Sequence, residues 1–203
     1  MRRSILILCL AAPSLVSAPA RADDGKDGDV TVAQLRAIMP HLTAERAAEF
    51  VGPLNKAMTQ YDITTPRRRA AFLAQLAHES GELKYMEEIA SGAAYEGRKD
   101  LGNTEPGDGK RYKGRGPIQL TGRANYRRAG EALGLDLVGK PEQVATPEVG
   151  CRVAGWFWQT HKLNDLADKK DFTTITRRVN GGLNGQASRE RYYHRALEVL
   201  KAD

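Results

Sequence analysis

Cysteine is nearly absent from this chain: of 203 residues only Cys9 and Cys151 carry a thiol. If the N-terminus is removed, Cys151 has no internal partner, so it is either buried or paired between chains, and its apolar helical neighbourhood favours burial. Metal-binding patterns are missing too. His41, His78, His161 and His194 are scattered, with no H-x-x-x-H pair and no cysteine cluster, so neither a metal nor a cofactor is expected. No apolar run is long enough to span a bilayer comfortably, so stable membrane insertion is not expected. Basic runs interleaved with aromatics are absent as well, so no nucleic-acid partner is expected. Strand-like alternation is scarce. Helical periodicity dominates.

What is present begins with a leader. Met1-Arg2-Arg3 is basic, Ile5–Val16 is a short apolar core broken by Pro13, and Ala20-Arg21-Ala22 is an A-x-A cleavage site. Residues 1–22 therefore read as a signal peptide and 23–203 as the mature domain, exported to the periplasm or beyond. An uncleaved anchor is the weaker alternative. Cleavage removes three arginines and no acid, leaving a net charge of about +3. That mild excess suits an anionic polymer without demanding one. Asp23–Asp29 reads as a loose new terminus.

The rest divides into helices. Val30–Met39 has Val32, Leu35 and Ile38 at spacing three, with Thr31 to cap it and Pro40 to stop it. Thr43 opens a second helix, in which Pro53 predicts a kink or a split. Thr65-Pro66 starts a third: Thr65 can cap, and Pro66 suits the first helical position. A long stretch, Ile89–Lys113, is punctuated by glycine and shows no sustained period; such a loop more often lines a binding site than fills space. Residues 112–121 predict a small hairpin, followed by a helix at 122–133 capped by Thr121 and closed by Gly134. Pro141 begins a turn of helix. Thr146-Pro147 begins a longer one through His161, with Val149, Val153, Trp156 and Phe157 as its buried stripe and Trp158 pointing elsewhere. Asp171–Val179 and a final helix from Ala187 or Ser188 complete the chain. The final helix has Tyr192, Ala196, Val199 and Leu200 on its apolar face. The expectation is one mainly α domain with a long central loop and a small β-hairpin.

Four segments carry more than fold: His78–Gly81, Glu87-Glu88, Gly114–Tyr126 and Asn180–Gly185. Glu79 lies on the same helical face as Phe72 and Leu76, at a helix end where the macrodipole disfavours negative charge. Burial and dipole both predict a raised carboxyl pKa, as a general acid working near neutral pH requires. Nine residues on, Glu88 supplies a second carboxylate in different surroundings. Two carboxylates so placed suggest glycoside hydrolysis. Glu87 rivals Glu88 by adjacency.

The strings AHESG (77–81), EE (87–88), GDGKRYKGRGPIQLTGRANY (107–126) and VNGGLNG (179–185) together resemble the catalytic domain of glycoside hydrolase family 19, within the lysozyme-like superfamily. The resemblance runs from about Ala71 to Leu200. It implies a lysozyme-like fold, with Glu79 as general acid, Glu88 as general base and Thr121 holding the attacking water. It places Gln119, Asn125 and Tyr126 along a sugar cleft with His78 and Tyr112, and Asn180 against an N-acetyl group. It also implies a basic residue pairing with the catalytic acids, for which Arg189 is the candidate and Arg191 the competitor. Inversion would need the carboxyl groups about 6.5–9.5 Å apart. The implied enzyme is a monomer that cleaves a polysaccharide containing N-acetylglucosamine. Chitin and peptidoglycan both remain open as substrates. The segment between the acids is short and the cysteines of plant chitinases are absent, features of compact bacterial and phage forms. A non-catalytic wall-binding protein and a contact-delivered toxin are the alternatives from other classes.

Overall fold

The structure, a computed structural model, describes residues 28–202. The leader, Cys9 and most of the acidic segment after the leader lie outside the described residues. Within them the chain forms nine helices: α1 (Val32–Ile38), α2 (Ala44–Gln60), α3 (Pro66–Glu79), α4 (Asp108–Arg111), α5 (Arg123–Leu133), α6 (Pro147–Thr160), α7 (Leu163–Asp168), α8 (Phe172–Asn180) and α9 (Gln186–Val199). Short 3-10 turns occupy Ala93–Tyr95, Lys99–Leu101 and Pro141–Ala145. The mainly α architecture is as the periodicity predicts. Among the described residues no helix is long and apolar enough to cross a membrane.

Helix α3 is the centre of the fold. Thr65 accepts from the Arg68 N–H at 3.2 Å and Pro66 takes the first turn, so the helix starts where the sequence places it. Every residue from Ala70 to Ala77 is buried, so α3 is enclosed on all sides rather than on one face. Its main packing partner is α9. Phe72 meets the edge of Trp158 at 5.3 Å between centroids. Such a ring in a closed core makes Phe72→Ala worth about 3–5 kcal/mol of stability.

Several local expectations need correction. Pro53 neither splits nor ends α2, which runs unbroken for 17 residues. Phe50, Val51, Leu54, Ala57 and Met58 are buried on both sides of the proline, and this packing outweighs one lost backbone bond. On α6 the stripe is rotated: Trp158 is fully buried and donates to Asn164 at 2.9 Å, while Val149, Trp156 and Phe157 are only half-buried. On α9 Tyr193 takes the core position, stacked on Phe172, and Tyr192 sends its hydroxyl to Glu82. Helix α7 had no periodic signal long enough to be read.

The 89–113 segment is more ordered than its glycines suggest. Asn103 and Asp108, both buried, tie it together: Asn103 donates to the Tyr95 carbonyl and accepts from the Arg123 N–H, while Asp108 accepts from the N–H groups of Thr104 and Glu105. Glu96 accepts from Gly107 and Gly109 in the same way. Internal side-chain bonds replace a core here.

Candidate functional site

Glu79 is the last residue of α3, and the chain turns sharply after it. Gly81, Glu82 and Leu83 all have positive φ (57°, 61° and 62°), a left-handed turn. Ser80 locks it, donating to the Leu76 carbonyl at 2.6 Å and accepting from the Leu83 N–H at 2.8 Å. A Cβ on Gly81 would lie 2.8 Å from the exposed Tyr85 ring, so a side chain there would displace that ring.

The carboxylate of Glu79 meets Arg189, which is fully buried and donates to Oε1 at 2.5 Å. The same guanidinium donates to Gln75 Oε1 and to the Asn184 carbonyl, and Gln75 donates on to Thr176. Arg191, the competing candidate for this partner, is exposed. Glu79 is thus not an unpaired acid among apolar groups, as its helical position alone predicts. Its Oε2 receives no hydrogen bond from the described residues, and the side chain is 17% exposed. His78, beside it, shares a hydrogen bond with Ser188 at 3.1 Å. Burial first, then the charges of Arg189 and Arg191, push its imidazole down to about 4. Together these contacts fasten the 180–189 segment to the end of α3.

Glu88 lies on an extended segment paired with the hairpin. Its N–H donates to the Gly114 carbonyl, and the Gly116 N–H donates to Met86. Arg115 and Leu120 exchange two backbone bonds across the Gly116–Gln119 turn, forming the small hairpin that residues 112–121 predict. Glu88 Oε1 accepts from the Tyr95 hydroxyl at 3.0 Å and Oε2 from the Gly114 N–H at 3.1 Å. No cation among the described residues pairs with it. Glu87 differs: Lys113 at 2.9 Å and Arg115 at 3.2 Å hold it, and the Lys113 contact above all lowers its pKa. Alternation along the strand puts the two acids on opposite faces. Gly114 must lack a side chain, because a Cβ would stand 2.8 Å from Gln119 Oε1 and 3.3 Å from Glu88 Oε2.

The other sequence candidates separate into two groups. Gln119 sits with Glu88, donating its amide to the carbonyls of Tyr85 and Gly116. Thr121 does not cap α5: its hydroxyl donates to the Gln119 carbonyl at 3.0 Å, and the cap position falls to Gly122. Asn125 donates to the Thr121 carbonyl at 2.8 Å, fixing that residue from below. Asn180 ends α8 and is exposed. Tyr112 and Tyr126 are corrections. Both are buried, at 1% and 0% exposure, so neither ring is open to a sugar. Their rings complete the core, while Tyr126 donates to the Lys113 carbonyl and accepts from Arg115. They support the hairpin from behind.

Sequence reasoning missed Gln75 and Tyr95. Gln75 is a fully buried amide on a helix of alanine and leucine, and that incongruity was its only signal. Tyr95 lay in a segment with no period. Also unforeseen is the apolar rim. The large hydrophobics most exposed among the described residues are Tyr85, Ile89 and Leu183. Tyr85 lies over Gly81 after Glu79, Ile89 follows Glu88, and Leu183 sits in the turn after Asn180.

Two carboxylates in unlike settings, one against a buried cation and one held by neutral donors, are the residue types that glycoside hydrolysis uses. The comparisons agree with this class. The glycoside hydrolase family 19 pattern, chitinase class I, matches residues 48–174. An endochitinase of Arabidopsis thaliana is 45% identical over 117 residues, which cover 57% of this chain and 40% of that protein. A glycosyl hydrolase family 19 domain-containing protein of Haemophilus influenzae is 33% identical over 168 residues, covering 67% of this chain and 81% of the relative. The crystal structure of chitinase C from Streptomyces griseus superposes with a TM-score of 0.71 at 27% identity, covering 85% of this chain and 76% of that one. The chain belongs to glycoside hydrolase family 19. It spans less than half the length of the Arabidopsis relative.

Proposed function

We propose that this protein is an exported glycoside hydrolase that cleaves β-1,4 bonds in chitin by inversion. Glu79 is the general acid: Arg189 occupies Oε1, which leaves Oε2 to carry the proton to the glycosidic oxygen. Glu88 is the general base, taking a proton from the water that attacks the anomeric carbon from the opposite face. Thr121 spends its own proton on the Gln119 carbonyl, so its oxygen is an acceptor that can orient that water. The carrying observation is the contrast between neighbouring acids: Glu87 is neutralised by two cations, whereas Glu88 is held by neutral donors alone. Tyr85, Ile89 and Leu183 offer apolar surface to sugar faces and acetyl methyls. The basic, A-x-A-terminated leader supports export.

Peptidoglycan shares the β-1,4-linked N-acetylglucosamine unit and is the second polymer to assay. Purified protein is incubated with chitin oligomers and with peptidoglycan, and the products are followed by mass spectrometry and by proton NMR of the new reducing end. Cleavage of chitin oligomers to products that first appear as the α-anomer is expected. Initial β-anomer would replace inversion with retention. Binding without cleavage of either polymer would make the chain a wall-binding protein.

A further inference from the structure

A cavity of about 580 Å³ opens beside Arg115, whose guanidinium pairs with Glu87 rather than Glu88. Lys110, Arg111, Arg115 and Arg123 line it, against Asp108 and Glu142. The two acids offset only part of the charge of the four cations. Asp108 is committed to a bidentate pair with Arg123, at 2.7 and 2.9 Å. Arg115 is committed to Glu87, the Arg111 carbonyl and the Tyr126 hydroxyl.

Arg111 is different. Its guanidinium donates to the carbonyls of Val138 and Gly139, at 3.1 and 3.2 Å, and to no carboxylate among the described residues. It is therefore oriented but keeps its charge. The buried Tyr112 ring lies between Arg111 and Arg123, at 5.7 and 5.2 Å from their guanidinium carbons, and its hydroxyl donates to Val138. Lys110 beside them is exposed and has no ion-pair partner among the described residues. A planar, pre-positioned guanidinium with a free ammonium next to it suits an oxyanion, which a neutral acetylated sugar does not supply.

We infer that this cavity binds the anionic groups of a cell-wall polymer, carboxylate or phosphate, separately from the hydrolytic cleft. Chitin, being neutral, would not use it; an anionic wall would. The site thus adds an anchoring surface to a chain whose proposed chemistry lies at Glu79 and Glu88.

The test is co-sedimentation of the full chain with purified bacterial sacculi and with chitin beads, over a series of NaCl concentrations. Arg111→Gln and the milder Lys110→Gln are compared with the parent, and hydrolysis of chitin oligomers is measured separately. Loss of one charge-assisted contact predicts roughly tenfold weaker binding to sacculi. Salt should erase the difference, while binding to chitin beads and oligomer hydrolysis stay unchanged. Sacculi stripped of phosphate polymers by hydrofluoric acid assign the anion: retained binding means carboxylate, lost binding means phosphate. Equal binding of parent and both variants to intact sacculi overturns the inference, whatever the hydrolysis assay gives. An equal loss on neutral chitin overturns it too.

Discussion

Arg189 on α9 and Glu79 at the end of α3 form an ion pair of 2.5 Å across 110 residues of sequence, with the guanidinium fully buried. Burying a cation is costly unless its donors are satisfied, and Gln75 and the Asn184 carbonyl complete the set. The pair therefore couples fold to chemistry. Glu79→Gln keeps the shape, removes the transferable proton and should lower the hydrolysis rate by about 10²–10⁴-fold, with helical circular dichroism unchanged. Arg189→Met should instead act on the fold, with a loss of roughly 3–5 kcal/mol in urea denaturation. The double variant Glu79→Gln/Arg189→Met should recover part of that stability and none of the activity. Substantial turnover by Glu79→Gln would remove it from the acid role.

A second prediction separates the adjacent acids. Glu88→Gln should cost more rate than Glu87→Gln in steady-state assays on chitin oligomers, because Glu87 is already paired with Lys113 and Arg115. Tyr95→Phe should give a smaller loss, since it removes one hydrogen bond of about 1 kcal/mol from Glu88 and leaves the Gly114 N–H in place. A larger effect at Glu87 than at Glu88 would move the base by one residue.

The helices were legible because their caps and periods are local: Thr31, Thr43 and Thr65 all accept the first-turn bond that their position predicts. The choice of core side chain between neighbours was less legible. Trp158 replaces Trp156 and Tyr193 replaces Tyr192 because the facing helix decides which of two nearby aromatics finds a partner, Phe72 and Phe172 respectively. In the candidate site, residues defined by short strings were visible, and those defined by distant partners were not. Gln75 gains its meaning only from Arg189 and Thr176, each about 100 residues away. Tyr112 and Tyr126 sit inside the same string as Gln119, yet their rings point into the core, and a string does not tell inward from outward.

The turn before α9 offers a third prediction. Gly185 has φ of 75°, and a Cβ on it would stand 2.3 Å from the His78 ring. Gly185→Ala combines left-handed strain of about 1–2 kcal/mol with a clash against an imidazole anchored by Ser188. The neighbouring Asn184 carbonyl, an acceptor for Arg189, should move with it. Lower thermal stability together with reduced turnover is expected. Gly182→Ala is the control, because a Cβ there meets only Asn180 Oδ1 at 3.9 Å. Equal effects of the two substitutions would deny the close approach of Gly185 to His78 any role.

The fourth prediction concerns acid stability. Burial and the charges of Arg189 and Arg191 hold the folded His78 at about 4, against an ordinary value near 6.5. Between those values the unfolded chain binds the proton and the folded chain does not. Unfolding free energy therefore rises with pH across this window. Acidification from about pH 6.5 toward 4 should progressively destabilise the protein through this group, and the contribution should level off below about pH 4. His78→Gln keeps a polar partner for Ser188 but cannot titrate, so it should flatten that part of the profile. Urea midpoints measured for both proteins at pH 4, 5.5 and 7 check this. The difference between them should be greatest at pH 4 and smallest at pH 7. Parallel profiles would mean that His78 is protonated in the folded chain, beside two arginines that oppose it.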